Sequence, residues 1–233
     1  MKVLSWNILH GGGSRVVDIV NTVENHNADV LCLQEFRHGK TKTRLIEGLA
    51  KIGYTHNYAP EAEKPITNTV AIFSKQPVSG VCHYRDDKGA VRCIEATLEH
   101  SNRRIVTVGF PHKKAQIPLF ELLLEFDKTY LDQETMIIGD FNCGIPFEDS
   151  ETKTFYATHL FQQMLRQGWV DSWRSRQEKT REYTWYSTQK NNGFRYDHCL
   201  CSPTLDAGVV AIEYDHAARE QGVSDHSVLI VEL

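Results

Sequence analysis

The stretch 136–142, MIIGDFN, constrains this chain more than any other part of it. Its apolar start is typical of a buried strand, and Gly139 interrupts the run. Alternate residues of an extended backbone point to the same side, so Asp140 and Asn142 are predicted to face one space while Phe141 packs away from it. An acid and an amide at an open strand end can hold a polar molecule, although an Asx turn would use the same residues.

The composition narrows the class of protein that can carry this stretch. With 233 residues, 41% of them hydrophobic, the chain can bury one large core, and residues 1–233 are predicted to form a single domain. A formal net charge of -4 argues against non-specific affinity for duplex nucleic acid, so any such contact must be local or helped by a metal ion. No apolar run approaches a membrane span, and no signal peptide is expected.

The cysteines indicate a reducing compartment. None of the six forms a Cys-x-x-Cys pair, which argues against a zinc site. Reduced thiols in a cytoplasmic protein are the expected state.

Alternating strand and helix signals predict an α/β fold. Ser14 is predicted to cap a helix reaching about Asn27, with Val16, Val17, Val20 and Val23 on its inner face. Further strands are predicted near 55–59, 69–74, 91–99, 104–110, 183–187, 193–202, 209–214 and 227–233. Many strands interleaved with a few helices favour layered sheets covered by helices.

Polar side chains recur where short apolar strands end: Asn7, Glu35, Asp140, Asn142, Asp197, Asp225 and His226. Each has an ordinary explanation taken singly. Glu35 can be solvated, Asp197 can pair with Arg195, Asp225 can cap a turn, and His226 can be a hydrogen-bonded core residue. Recurrence across the whole chain favours a shared site instead.

Several carboxylates in one pocket would repel one another, and a hard divalent cation removes that repulsion. Mg²⁺ prefers oxygen ligands and suits sites where carboxylates meet a substrate phosphate, with Mn²⁺ as a possible substitute. A histidine beside an aspartate adds a group that can donate to or accept from the substrate. The combination predicts metal-assisted hydrolysis of a phosphate ester.

Six motifs in order resemble the endonuclease/exonuclease/phosphatase (DNase I-like) superfamily, and most of all exonuclease III and the AP endonucleases. These motifs are Ser5-Trp6-Asn7, Leu33-Gln34-Glu35, Ala71-Ile72-Phe73-Ser74, Gly139-Asp140-Phe141-Asn142, Arg195-Tyr196-Asp197 and Ser224-Asp225-His226. The resemblance covers nearly the whole chain. It implies a four-layer αββα sandwich of two mixed β-sheets, with the site at one end of the sheets.

The resemblance also implies roles for these residues. Glu35 is the main Mg²⁺ ligand, supported by Asn7, and Asp225 supports the metal or His226. Asp140 and Asn142 orient the attacking water and the phosphate. Asp197 orients His226, which contacts the scissile phosphate.

One position departs from the family pattern. Gly109 stands where the family normally places a Tyr or His that contacts the phosphate. Either His112, three residues on, takes over this contact, or the site is weakened, and a donor restored at 109 is expected to raise turnover. A catalytically weakened binding protein is therefore an alternative function.

Aromatic and basic residues point to the substrate. Trp185, Phe194 and Tyr196 are predicted to line a pocket for a sugar or base, or to be core aromatics. Arg174 and Lys40 lie in basic loops suited to phosphate contacts, or to an ordinary solvated surface. The resulting prediction is a Mg²⁺-dependent DNA phosphodiesterase that acts in DNA repair without an obligate protein partner. A hydrolase of small phosphate esters is the alternative enzyme.

Overall fold

A computed structural model describes residues 1–99, 103–126, 128–153 and 155–233. Residues 100–102, 127 and 154 of the predicted domain lie outside these ranges. The strands in the described ranges are β1 (Lys2–Asn7), β2 (Val30–Phe36), β3 (His56–Tyr58), β4 (Thr69–Ser74), β5 (Val78–Arg85), β6 (Val91–Leu98), β7 (Arg104–Gly109), β8 (Thr135–Asp140), β9 (Val170–Asp171), β10 (Trp185–Tyr186), β11 (Gly193–Phe194), β12 (Asp197–Cys201), β13 (Ala211–Asp215) and β14 (Val228–Glu232).

The helices lie between these strands along the chain. They are α1 (Val16–His26), α2 (Lys42–Lys51), α3 (Ile117–Leu124), α4 (Lys128–Leu131), α5 (Thr158–Gln167), α6 (Ser172–Arg176), α7 (Pro203–Asp206) and α8 (Ala217–Glu220). Two 3₁₀ turns, Gly13–Arg15 and Lys113–Gln116, precede α1 and α3. No helix in the described ranges combines the length and the apolar character that a membrane crossing requires.

Two mixed sheets organise the fold. The first has the strand order β13-β14-β1-β2-β4-β3, and the second has the order β5-β6-β7-β8-β12-β9. Each contains one parallel pair, β1 with β2 in the first sheet and β7 with β8 in the second. Strands β10 and β11 form a separate antiparallel hairpin, which lies between β9 and β12 in the chain.

Three apolar layers hold the sheets and helices together. One lies between the sheets and includes Val70, Ile138 and Leu229. A second joins α1 and α2 to the first sheet, and a third joins α3 and α5 to the second sheet. The order helices, sheet, sheet, helices confirms the predicted four-layer αββα sandwich.

Three details of the predicted elements were wrong. Ser14 does not cap α1, because the N-cap residue is Arg15 and no side chain caps the helix there. In α1 the buried residues are Val16, Ile19 and Val23, whereas Val17 is 47% exposed, because a helix turns 100° per residue and adjacent valines cannot share its inner face. The prediction also missed β5 entirely. This edge strand is mostly half-exposed, so its apolar residues do not form the run or alternation that marks a buried strand.

Strand pairing collects the polar strand ends at one place. Asp140 ends β8 and pairs in register with Asp197 on β12 and with Gly109 on β7. In the other sheet, Asn7 at the end of β1 pairs with Gln34 on β2. The two sheets face each other, so these ends meet across the interlayer core.

Candidate active site

Asp140 and Asn142 meet, but not through an extended backbone. Asn142 has a φ of 46°, in the left-handed region that asparagine tolerates. Its backbone N–H donates to Asp140 Oδ1 at 2.9 Å, and its Nδ2 donates to the Phe110 carbonyl at 2.8 Å. The prediction that alternation places both residues in one space was right about the place and wrong about the geometry. Phe141 packs into the helix-covered face of the second sheet, as expected.

Asn7 joins the two sheets at Asp140. Its Nδ2 donates to Asp140 Oδ2 at 3.1 Å, and both residues are buried. Its Oδ1 accepts from the backbone N–H of Leu9, and its carbonyl accepts from the Ser224 hydroxyl. Asn7 therefore fixes the position of the Asp140 carboxylate from the opposite sheet.

Asp197 and His226 form a buried pair beside Asp140. His226 Nδ1 lies 2.9 Å from Asp197 Oδ2, and His226 Nε2 lies 3.9 Å from Asp140 Oδ2. With Nδ1 held by Asp197, the Nε2 edge of the ring faces the Asp140 side of the site. The alternative pairing of Asp197 with Arg195 is absent among the described contacts.

Charge and burial set the protonation of this group. Burial alone would lower the pKa of His226, but the carboxylates of Asp197 and Asp140 outweigh burial and raise it to about 10. Burial raises the pKa of Asp140, and the nearby His226 opposes that rise. The site thus combines an imidazolium, which can donate to an anion, with a carboxylate more basic than usual, which can accept a proton.

Arg195 forms a buried ion-pair network next to the site, and its carboxylate partners are Asp149 and Asp171 rather than Asp197. Its side chain is 1% exposed and donates to Asp149 Oδ1 at 2.8 Å and to Asp171 Oδ2 at 2.7 Å. Its guanidinium also lies over the Trp173 ring. Arg195 and Asp197 are two residues apart, so this network fixes the backbone that carries Asp197.

Glu35 reaches the site from a bulge in β2. The register between β2 and β4 shifts at this residue, whose φ is 57°. A bulge re-aims one side chain away from the alternation of its strand. Glu35 Oε2 accepts from the His10 backbone N–H at 2.7 Å and lies 2.7 Å from His10 Nδ1. His10 in turn lies 3.1 Å from Asn68 Nδ2.

A cavity of about 450 Å³ opens between the two sheets and unites most of these groups. The lining residues are Asn7, His10, Gln34, Glu35, Asn68, Thr69, Val70, Lys88, Arg92, Gly109, Phe110, Pro111, His112, Ala115, Asp140 and Asn142. Sequence reasoning missed His10, Asn68, Lys88 and Arg92. Lys88 lies in the turn between β5 and β6, and Arg92 lies at the start of β6, so overlooking β5 also hid this basic hairpin.

Gly109 and His112 both line the cavity. A Cβ built on Gly109 would lie 2.9 Å from Val70 Cγ1 and 3.6 Å from Gln34 Cγ, both in the facing sheet. The glycine thus allows the sheets to approach closely, and a donor restored at 109 would first have to displace Val70. Burial lowers the pKa of His112 below its usual range, which favours its neutral ring.

A family model described as the Endonuclease/Exonuclease/phosphatase family matches residues 4–226. The chain belongs to the endonuclease/exonuclease/phosphatase family. The resemblance seen in the six motifs is thereby confirmed. Endonucleases, exonucleases and phosphatases all hydrolyse phosphate esters, so membership places the chain among phosphoric ester hydrolases.

Individual proteins agree with this family. The chain is 26% identical over 241 residues to an exodeoxyribonuclease of Bacillus subtilis, covering 88% of the chain and 89% of the relative. It is 25% identical over 256 residues to a DNA-(apurinic or apyrimidinic site) endonuclease of Dictyostelium discoideum, covering 97% of the chain and 68% of the relative. A solved AP endonuclease from Archaeoglobus fulgidus shares the fold with a TM-score of 0.83 at 20% identity, covering 100% of the chain and 99% of that structure.

Proteins that share a fold need not share a substrate, because the substrate is set by the contacts that individual side chains make in the site. Asp140, Asp197 and His226 each offer one possible metal-ligand atom, and these three atoms lie within 4.8 Å of one another. No other group of three His, Cys, Asp or Glu residues in the described ranges is arranged in this way. Glu35 and Asp225 are not part of this trio. Asp225 Oδ2 instead accepts from Trp185 Nε1 at 2.9 Å, while its Oδ1 is buried without a partner.

The predicted substrate-side residues of this family member divide into two groups. Trp185, Phe194 and Tyr196 form one aromatic cluster, and the Tyr196 ring centroid lies 6.5 Å from that of His226. Phe194 is only 6% exposed and backs the other two rings. Arg174 is held inside the protein by Asp149 and by loop carbonyls, whereas Lys40 is exposed.

Proposed function

We propose that the chain is a Mg²⁺-dependent phosphodiesterase that hydrolyses the DNA backbone, of the exonuclease III or AP-endonuclease type. The observation that carries the proposal is the convergence of Asp140, Asp197 and His226 beside a cavity in a chain of this family. The names of the relatives from Bacillus subtilis and Dictyostelium discoideum support DNA as the substrate. Action on abasic DNA would make DNA repair its process.

The oxygen-rich donor set fits a magnesium ion. The cavity presents the carboxylates of Glu35 and Asp140 with the amides of Asn7 and Asn142, and Mg²⁺ prefers such hard oxygen ligands. Glu35 is the proposed main ligand, with Asn7 and Asp225 in support, and Mn²⁺ is the expected substitute. When bound, the cation would neutralise charge on the phosphate oxygens.

The protein's own groups then divide the work of hydrolysis. Asp140 accepts the proton of the attacking water, for which its raised pKa suits it. Asn142 orients the water and phosphate beside it. His226, held by Asp197 through Nδ1, presents Nε2 to the phosphate and stabilises the charge that develops there.

Local positive charge compensates for the acidic balance of the chain. Lys88 and Arg92 line the cavity, where Arg92 also pairs through Nε with Asp86. His112, with a neutral ring, is the proposed replacement for the donor that Gly109 lacks. The exposed Lys40 is the proposed contact for the flanking backbone, and the ring faces of Trp185 and Tyr196 are the proposed contacts for the sugar or base. Arg174 drops out of this proposal because its guanidinium is already bonded within the protein.

A substrate panel tests the proposal. An abasic duplex, a linear duplex and bis(p-nitrophenyl) phosphate are each incubated with Mg²⁺, with Mn²⁺ or with a chelator. Cleavage of DNA that stops in chelator is the expected result. Hydrolysis of the small ester alone, or binding of DNA without cleavage, would contradict it.

Matched variants assign the cleavage to this site. Glu35→Gln should abolish turnover, and Asp140→Asn and His226→Ala should each lower it about 10²-fold or more. Glu24→Gln, the same chemical change at an exposed position on α1, should leave turnover unchanged. Near-normal turnover of Glu35→Gln would remove Glu35 from the mechanism.

The predicted cytoplasmic location agrees with one property of the fold. All six cysteines are free thiols, and five of them are buried. Free thiols are the usual state of cysteines in a reducing compartment such as the cytoplasm.

A further inference from the structure

Thr184 lies at the point where three segments of the site meet. It is 0% exposed and immediately precedes β10. Its backbone N–H donates to the Phe194 carbonyl at 2.8 Å, which closes the β10–β11 hairpin. Neither the set of polar strand ends nor the cavity lining includes this residue.

The hydroxyl of Thr184 holds the backbone that carries Asp197. Thr184 Oγ1 accepts from the backbone N–H of Tyr196 at 3.0 Å and from that of Asp197 at 3.3 Å. Asp197 is the first residue of β12, and Tyr196 immediately precedes it. The hydroxyl lies 3.4 Å from the Phe194 carbonyl, to which it donates its own proton.

The carbonyl of Thr184 holds the segment that carries His226. It accepts from the Ser227 backbone N–H at 3.0 Å and from the Ser227 hydroxyl at 3.3 Å. Ser227 is the next residue after His226, and it is 0% exposed. The Ser227 hydroxyl is fixed further by His216 Nδ1 at 2.8 Å and Arg219 Nε at 3.0 Å.

One residue therefore binds the backbones of both partners in the Asp197–His226 pair. The side chain fixes Asp197, and the main chain fixes His226 through Ser227. The distance of 2.9 Å between His226 Nδ1 and Asp197 Oδ2 depends on how these two backbones are held relative to each other. A small displacement of a catalytic group can cost about 10²-fold in rate.

We propose that Thr184 is a positioning residue, whose hydroxyl sets the hydrogen bond between Asp197 and His226. This inference rests on the proposed function for its catalytic consequence, but not for its structural one. Thr184 touches neither substrate nor metal in this scheme. It acts through the two residues that it aligns.

Two variants separate the hydroxyl from the volume of the side chain. Thr184→Val keeps the shape but removes the acceptor from the Tyr196 and Asp197 N–H groups. Thr184→Ser keeps the acceptor but removes a methyl group. We expect Thr184→Val to lower kcat on the abasic duplex about 10- to 100-fold with little change in KM. The kcat of Thr184→Ser should stay within about 3-fold of the wild-type value, because the serine hydroxyl still holds the backbone of Asp197 in place.

A spectroscopic readout tests the alignment without relying on turnover. The imidazole Nδ1–H proton of His226, hydrogen-bonded to a carboxylate, should give a far-downfield ¹H NMR signal, assigned by its loss in His226→Ala. The signal should persist in Thr184→Ser and shift or vanish in Thr184→Val. Circular dichroism and thermal melting confirm that each variant compared is folded.

The outcomes are distinguishable from failure of the proposed function. If wild-type protein cleaves no DNA, the proposed function fails, and the NMR comparison still decides the role of Thr184. An unchanged signal in folded Thr184→Val overturns the proposal. Equal loss of the signal in Thr184→Ser would also overturn it, because packing of the methyl group would then be the cause.

Discussion

Gly109→Ala tests whether close approach of the two sheets is what requires glycine at this position. The new Cβ would lie 2.9 Å from Val70 Cγ1, whereas carbon atoms in good contact lie about 3.5–4.0 Å apart. Val70 is buried and has the restricted χ1 of a β-branched residue, so it cannot easily turn away. We expect the free energy of unfolding to fall by about 1–3 kcal/mol, the usual cost of overfilling a packed core.

Removing the obstacle should reverse part of this cost. Val70→Ala deletes two buried methyl groups, worth about 0.8 kcal/mol each before any cavity penalty. In Gly109→Ala/Val70→Ala the new methyl group occupies space that the valine has left. The double variant should therefore be more stable than the sum of the single effects by about 1 kcal/mol or more.

Urea unfolding, followed by tryptophan fluorescence and circular dichroism, gives the free energy of unfolding of the wild type, the two single variants and the double variant. Similar m-values would make these free energies comparable. Val23→Ala, a buried valine in the layer under α1, is the matched control. Combined with Gly109→Ala, it should give costs that add to within about 0.5 kcal/mol. Wild-type stability of Gly109→Ala, or additive costs for the Val70 pair, would refute the reasoning.

Three further predictions concern the buried charges and thiols. Arg195→Met removes the guanidinium shared by Asp149 and Asp171, so that Asp149 keeps only Arg174 and Asp171 keeps only His198 as a basic partner, and it should lower the free energy of unfolding by about 3–5 kcal/mol; a loss below about 1 kcal/mol in urea unfolding would show that the network carries little stability. Burial opposes ionisation of Asp171, but Arg195 and His198 outweigh it and lower its pKa. The contribution of Asp171 is complete above its unfolded pKa of about 3.9 and is lost as pH falls below that value. Unfolding measured from about pH 5 to pH 2 should therefore be less pH-dependent in Asp171→Asn, and equal slopes would count against this assignment. Cys82 is the one cysteine that is not fully buried, so native protein should show one fast-reacting thiol toward a disulfide reagent, absent from Cys82→Ser; rapid reaction in that variant would contradict this.

The sequence was most informative where a buried strand runs straight into polar residues. Asp140 follows the run 136–138 after a single glycine, so its place at the sheet end followed from periodicity. Asp197 and His226 were singled out in the same way. Their contacts needed the fold, because the antiparallel register of β8 and β12 brings Asp197 beside Asp140, and His226 reaches Asp197 from the segment that precedes β14 in the other sheet.

Other features depend on contacts that periodicity cannot express. Glu35 enters the site because of a bulge, and Asn142 because of a left-handed turn. Arg174 looked like an exposed basic residue, but Asp149, which holds it, is 25 positions away. Thr184 carried no signal in the sequence, because its hydroxyl contacts main-chain groups of Tyr196 and Asp197, and periodicity does not predict where those groups lie.

The bond between Trp6 Nε1 and the His226 carbonyl spans 220 positions of the chain. Strand β1 lies between β14 and β2, so one of its edges has no partner until β14 has been made by the ribosome. A growing polypeptide can pair β1 with β2 early, yet it lacks the His226 imidazole until residue 226 has been added. Products that stop before residue 226 are thus expected to lack phosphoric ester hydrolase activity, because they cannot bring His226 beside Asp140 and Asp197.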